Sequence, residues 1–452
     1  MDVSDLINAA SAKKVSEGFR LLKSNNLPGS CLLQNGNPFN DINLSPGDVI
    51  KNRKDTLKPS EVKEFMAVST LIHCMDGWTY LNNSVHAFLN GDLPIAIHLA
   101  YYAELRAAIS FLASEGILVA NSQQICLKDN DELYIPGINP LKKLKDPGTH
   151  SATWKIMEGL LNDHHRSINA LAYFSYKGKT FKELTQYIPK SPSKIEVQSL
   201  IARKWLKTWS LDIEKYTQDR TMRNYSSYNP NIRRNFTPIS PGERLKNIND
   251  FWKVLDPSIY AFSNIDQYLF SAYLNKIYDE YKSSFQNGDP MDKSAYIDLF
   301  FKNAGLTNDS NLTVIFKEDR PNMLIKHASD DSKDKITGNV KPLSIIARSI
   351  LLLRYATGAC AYLLKSNNIE RSDLNFYFDE IGRDSGMWDS PRPEDFKSLW
   401  DDVFLLSEYF DEYLDENPDP SIFNIRNELG EFVNYSPIYT QFSRASLWGL
   451  GL

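Results

Sequence analysis

IAIHLAYYAELRAAISFLASEGILVA, residues 95–120, decides how this chain is read. It is the longest stretch rich in alanine, leucine and isoleucine, and it holds Tyr101, Tyr102, Glu104 and Arg106 near its centre. His98, Glu104, Arg106, Ser110, Ser114 and Glu115 interrupt it, a density of polar groups that argues against a membrane span. The run therefore reads as a helix against which the rest of the chain packs. Asn90-Gly91-Asp92 is a turn ahead of it. Asp92 suits the helix cap, Pro94 the first turn and Gly116 the end.

Working outward, residues 4–24 carry a helical stripe of Leu6, Ile7, Ala10, Val15, Phe19 and Leu22. Residues 27–60 are turn-rich, with short strands expected at Cys31–Gln34 and Asp48–Lys51. Pro59-Ser60-Glu61 opens a helix running to about Asn82. Downstream of the central run, two short strands flank Asp129-Asn130-Asp131, and a helix starts at Thr149 or Ser151. Val197, Leu200, Ile201, Trp205, Trp209 and Ile213 predict one long amphipathic helix over Lys194–Arg220. Beyond about residue 246 the chain turns to Tyr- and Phe-rich helices at 248–286 and 294–304. A strand is expected in the LTVIFK stretch at 312–317, an exposed loop at 326–335, and a buried helix at Ser344–Leu364 that embeds Arg348 and Arg354. An acidic helix follows at 394–415, and an apolar tail whose Trp448 and Leu450 should dock. The fold class is mainly α, multi-helical with a few short β-strands. It divides into an N-terminal helix and irregular segment (1–60), a helical domain (61–245) and a C-terminal helical domain (246–452).

Composition places this pattern in an ordinary class. Of 452 residues, 42% are hydrophobic and 24% charged, as in soluble globular proteins. A net charge of −5 excludes a globally basic nucleic-acid coat but leaves room for a local basic patch. Four scattered cysteines with no CxxC pair argue against a structural zinc site and for a reduced, cytoplasmic setting. The first twenty residues carry acids, unlike a secretory leader. There is no Walker loop, dinucleotide glycine fingerprint, HExxH or GxSxG, so no cofactor and no metal is implied.

The chemistry concentrates at Arg223-Asn224-Tyr225-Ser226-Ser227-Tyr228-Asn229-Pro230, where the long helix is expected to meet a loop. Pro230 disfavours helix at Asn229, and a sharp turn there would gather Arg223, Asn224 and Tyr228 on one surface. An arginine fork suits a phosphate. Asn224 suits a ribose hydroxyl or a phosphate oxygen, and Tyr228 a proton or a stacked base. Arg220, Arg233, Arg234 and Arg244 add positive charge, while Tyr225 and Phe236 offer stacking faces. The plainer alternative is that Arg223 and Asn224 cap a helix C-terminus, where the dipole favours cations.

This segment resembles the active-site motif of the HEPN superfamily, in which an arginine at a helix end precedes a histidine by several residues. Ala100-Tyr101-Tyr102-Ala103-Glu104-Leu105-Arg106-Ala107-Ala108 is similar to the apolar helix that precedes the motif there. The resemblance covers residues 66–245 at most. It implies a metal-independent ribonuclease of bacterial antiviral defence or toxin systems. Two motif copies would face each other across a homodimer, with Arg223 on the phosphate and Tyr102, Arg106, Tyr225, Arg233 and Arg234 on the RNA. The intervening strands and helices would be an insertion, and the chain departs from the family pattern at its most important place: Tyr228 stands where the histidine belongs. A phenol, with an ordinary pKa near ~10, is a poor base at neutral pH. His150 or His98 would have to replace it, or the site binds RNA without cleaving it, or the protein is instead a non-catalytic helical subunit of a larger defence complex. The expected partners are RNA, a second copy or a protein partner, and no membrane.

Overall fold

The alanine-rich run becomes two elements. In the computed structural model, Leu93–Ser114 is an α-helix and Ile117–Ala120 a β-strand. Gly116 makes the corner with φ +86°, and a Cβ there would lie 2.7 Å from the Ser11 carbonyl oxygen. Only glycine tolerates both conditions. The structure describes all residues except 1–2, 25–32, 122, 137–147, 210, 230, 232–234, 258–260, 285–289, 375–377, 379–381, 384, 390–391, 432–435 and 452.

The chain is mainly α-helical. It opens with α1 (Val3–Ala9), α2 (Ala12–Ser24), α3 (Pro46–Arg53), α4 (Pro59–Leu89) and α5 (Leu93–Ser114). Strands β1 (Ile117–Ala120), β2 (Gln123–Leu127) and β3 (Leu133–Tyr134) form an antiparallel sheet in that order. Next come α6 (Thr149–Asn162) and α7 (His164–Asn169), then the hairpin of β4 (Ser175–Tyr176) and β5 (Lys179–Thr180). Helices α8 (Phe181–Thr185), α9 (Ile195–Thr208), α10 (Ile213–Tyr228) and α11 (Pro241–Val254) follow. After them run α12 (Ser263–Ser283), α13 (Lys293–Ala304), α14 (Ser310–Glu318), α15 (Met323–Ser329) and α16 (Pro342–Ser366). The described chain closes with α17 (Ser398–Glu416), α18 (Ile422–Glu431), α19 (Ser436–Thr440) and α20 (Arg444–Gly449).

Several expectations are corrected by capping chemistry. The helix expected over 4–24 is two helices, broken at Ala10-Ser11. The strand expected at Asp48–Lys51 is α3, because Ser45 accepts from the Asp48 amide and Pro46 takes the first helical position. The strand expected at Cys31–Gln34 begins outside the described residues, and Leu33-Gln34 is not in a strand. LTVIFK lies in α14: the Asp309 carboxylate accepts from the Asn311 and Leu312 amides, and this cap overrides the β-branched residues. The long helix expected over Lys194–Arg220 is α9 plus α10. The Leu211 amide returns to the Leu206 carbonyl, closing α9, and Asp212 then caps α10.

At the centre α5 lies between α4 and α16. Gly77 of α4 marks a close approach, where an added Cβ would sit 2.6 Å from Leu353 Cδ2 of α16 and 3.2 Å from the Ala103 carbonyl of α5. Small residues on α5 permit this spacing, and Ala100, Ala103, Ala107 and Ala108 are fully buried. Both α5 and α16 are long and apolar enough to cross a membrane, and both are instead packed inside this fold. Two buried ion pairs pin neighbouring helices to α16: Arg348 on Asp219 of α10 at 2.7 Å, and Arg354 on Asp266 of α12 at 2.6 Å. The tail docks on the chain itself. Trp448 and Leu450 are buried, Phe442 stacks on Trp252 at 4.0 Å, and Arg444 reaches Asp402 at 3.1 Å.

Candidate functional site

Three elements bring polar side chains to one ring. On α5, His98, Tyr102 and Arg106 are spaced four residues apart and so form one stripe. On α10, Arg220, Arg223 and Ser227 do the same at spacings of three and four. The first turn of α6 supplies Thr149, His150 and Ser151. The Tyr102 ring is the hub. The Arg223 guanidinium lies over it, 5.0 Å from the centroid, and Arg223 Nη2 donates to the Tyr102 hydroxyl. The His98 ring centroid is 5.0 Å away and the His150 ring centroid 5.9 Å.

Hydrogen bonds assign the histidine tautomers. Ser227 Oγ donates to the Arg223 carbonyl at 2.9 Å and meets His98 Nδ1 at 2.8 Å. With the hydroxyl hydrogen so used, His98 Nδ1–H is the donor, and its Nε2 keeps a lone pair. His150 is set the other way. Trp154 Nε1–H donates to Tyr101 Oη at 3.3 Å, and Tyr101 Oη lies 3.0 Å from His150 Nδ1. Burial holds the Tyr101 phenol above its ordinary pKa, so it keeps its proton and gives that hydrogen to Nδ1. His150 therefore carries its own hydrogen on Nε2. Both rings are held neutral. Burial and then Arg223 push His98 down, while burial, Arg223 and Arg220 push His150 down.

The charge at the site is lopsided. Arg220 Nη1 donates to Ser151 Oγ at 2.8 Å, and Arg223 Nη1 to Asn224 Oδ1 at 2.9 Å. These acceptors are neutral. Among the described residues neither arginine has a carboxylate within 4.0 Å, and the buried Arg223 Nε–H has no partner. An unsatisfied buried donor costs roughly 1–3 kcal/mol and calls for a reason. The nearby carboxyls do not cancel the charge. Asp219 is taken by Arg348 and Ser332. Glu104, fully buried, is pushed well above the usual carboxylate range by burial and by Asp219 beside it, with which it shares a side-chain hydrogen bond. Glu104 is thus not the partner of an arginine; it lies against an aspartate that an arginine has claimed.

The residues expected from sequence are only partly assembled. Arg223, Tyr102 and His150 come together, and Arg106 continues the α5 stripe. Tyr228 does not join them: five residues beyond Arg223 on a continuous helix it points elsewhere, and it is 79% exposed. The turn expected to gather Arg223, Asn224 and Tyr228 is helix through Tyr228. Asn224 is exposed, and among the described residues it meets the site through the bond from Arg223. Tyr225 is half-buried, its hydroxyl accepting from Asn235 Nδ2 at 2.7 Å. Arg244 is buried beside Gly91. Arg233 and Arg234 lie outside the described residues. Sequence reasoning missed Tyr101, Trp154, Ser151 and Ser227. The four-residue spacing of His98, Tyr102 and Arg106 was the available signal for giving His98 equal weight with His150.

No protein-family model matches the chain, and no curated protein or solved structure does. Among the described residues no group of three His, Cys, Asp or Glu side chains converges as metal ligands do.

Proposed function

We propose that the cluster on Tyr102 grips the phosphodiester of RNA and cleaves it without a metal ion. One observation supports this reading above the others: Arg223, with no carboxylate partner among the described residues, shares the Tyr102 ring with two neutral histidines of opposite tautomer. In this mechanism Arg223 and His150 Nε2–H hold the phosphoryl oxygens and stabilise the charge that develops on them. His98 Nε2 takes the proton of the ribose 2′-hydroxyl. The 2′-oxygen then bonds to phosphorus as the bond to the 5′-oxygen breaks. The leaving oxygen takes a proton from water, and the hydroxide so formed is neutralised by the His98 imidazolium. The products are a 2′,3′-cyclic phosphate and a 5′-hydroxyl. The histidine that the HEPN pattern places on the arginine's own helix is here supplied by α5 and α6. Assignment to a bacterial antiviral or toxin system, in the cytoplasm, rests on that resemblance alone.

The test is cleavage of single-stranded RNA with EDTA present. Wild type should cleave, and Arg223→Ala should lose about 10²–10³-fold in rate, as removal of one oxyanion donor does elsewhere. Because the folded pKa of His98 is depressed, the acid limb of the rate should lie below about pH 6.5. Equal cleavage, or equal growth toxicity, by wild type and Arg223→Ala sinks the proposal. A second reading, a non-catalytic subunit, is favoured by the exposure of Phe404, Leu405 and Phe423 on α17 and α18. A stable stoichiometric partner in native extracts, together with no cleavage, would support it.

A further inference from the structure

The anion site opens onto a cleft of about 280 Å³. It is bounded by a stripe of α4 (Phe65, Ser69, His73), by α5, by β1 and by the start of α6. Tyr102 and His150 belong to both places, so a ligand filling the cleft touches the residues that surround the Arg223 guanidinium. The lining is mainly apolar, with Phe65, Leu105 and Ile109 beside the polar His73, Arg106 and His150. The volume falls just under the roughly 300–1,000 Å³ usual for drug-sized ligands, which leaves room for one planar ring system rather than a peptide or a stacked pair.

The walls are pre-set. Phe65 stacks on Phe39 at 4.0 Å with the rings 2° from parallel, which fixes its orientation. Arg106 stands over the Tyr80 ring, 6.0 Å from its centroid, and Tyr80 stacks on Tyr102 at 5.5 Å. Arg106 Nη1 donates to His73 Nδ1 at 2.8 Å and lies 3.7 Å from Asp76. Since arginine has only hydrogens to give, His73 Nδ1 must accept, and Nε2 carries the ring's hydrogen. The cleft therefore offers a fixed N–H donor, a guanidinium and aromatic faces beside apolar side chains. A flat heterocycle with polar edges, joined to an anion, matches that set; a lipid chain or a free inorganic anion leaves half of it unused.

We propose that this cleft is the nucleobase subsite of the same centre, holding the base next to the phosphate on Arg223 and making the protein selective among nucleotides. This rests on the phosphate reading above, and the test separates the two. Inorganic phosphate, the four nucleoside 3′-monophosphates and single-stranded tetranucleotides are titrated calorimetrically into the full chain. At least one nucleotide should bind ten times tighter than phosphate, with a spread among the four bases. Arg106→Ala and Ser69→Phe, which fills the cleft, should each bring nucleotide affinity down to that of phosphate while phosphate affinity holds. Arg223→Ala should weaken both. Should Ser69→Phe fail to fold, by its melting curve, Arg106→Ala carries the comparison. Nucleotides binding no tighter than phosphate, or unaffected by both cleft variants, overturn the subsite and leave the phosphate site standing. Absence of any phosphate or nucleotide binding by wild type overturns both. A tetranucleotide binding tighter than every mononucleotide supports an RNA strand as the source of the base, and equal affinity supports a free nucleotide in the same cleft.

Discussion

Arg348 and Arg223 sit in opposite electrostatic settings within one fold. Arg348 is fully buried and uses all of its N–H donors: Nε and Nη2 on Asp219, Nη2 on Ser332, and Nη1 on the Ala328 and Asp330 carbonyls. Arg223 sits on α10 one turn beyond Asp219, yet its acceptors are a phenol and an amide, and its buried Nε–H is unpartnered. An arginine that holds a fold together is given its counter-charge. One left among neutral acceptors, between two neutral histidines, has its charge available for an anion from outside.

The largest expected effect tests the satisfied member of the pair. Arg348→Ala strands Asp219 in the core beside Glu104, and losing one partner of a buried pair costs about 3–5 kcal/mol. Arg223→Ala removes only bonds to neutral, partly exposed groups and should cost about 1 kcal/mol or less. Urea unfolding of both variants checks this, and similar losses would erase the distinction on which the functional reading depends.

A middle-sized effect comes from the carboxyl that Asp219 faces. Glu104 is raised in the folded protein, so its stabilising contribution is complete below its unfolded pKa near ~4.3 and is lost as pH rises towards the folded value. Glu104→Gln has no proton to gain. Relative to this variant, wild type should lose up to about 1.4 kcal/mol per pH unit above roughly pH 4.3. Unfolding at pH 5 and pH 8 reads the difference, and parallel stabilities at both would mean Glu104 is ionised in the fold. The smallest effect belongs to Tyr228. With 79% of it exposed, Tyr228→Ala should leave both stability and RNA cleavage within error of wild type. A loss like that of Arg223→Ala would return Tyr228 to the catalytic group.

Much of the helical content was legible because its signals are local. The start of α5 between Asp92 and Pro94 follows from the turn and the proline, the Ser344–Leu364 core helix from its apolar run, and the docking of Trp448 from the apolar tail. The errors share a cause. LTVIFK looks like a strand by composition, and Lys194–Arg220 looks like one helix by periodicity, but single caps at Asp309 and Asp212 decided otherwise. The site was half legible. Arg223 stood out as a candidate phosphate ligand, and Tyr102 lay in the central run, but the intact helix through Tyr228 turned that residue away.

From sequence alone, the residues themselves determined that this chain is mainly helical and that the run from about Pro94 to Gly116 is a core helix, on which a four-residue spacing sets His98, Tyr102 and Arg106 on one face, because helical periodicity is a property of neighbours. Only the tertiary structure decided that α10 and the start of α6 meet that face. It also decided which arginine receives a carboxylate and which ring nitrogens keep their hydrogens. Those outcomes depend on atoms far apart in the chain, whose burial, charge and hydrogen bonds exist only once the helices have packed.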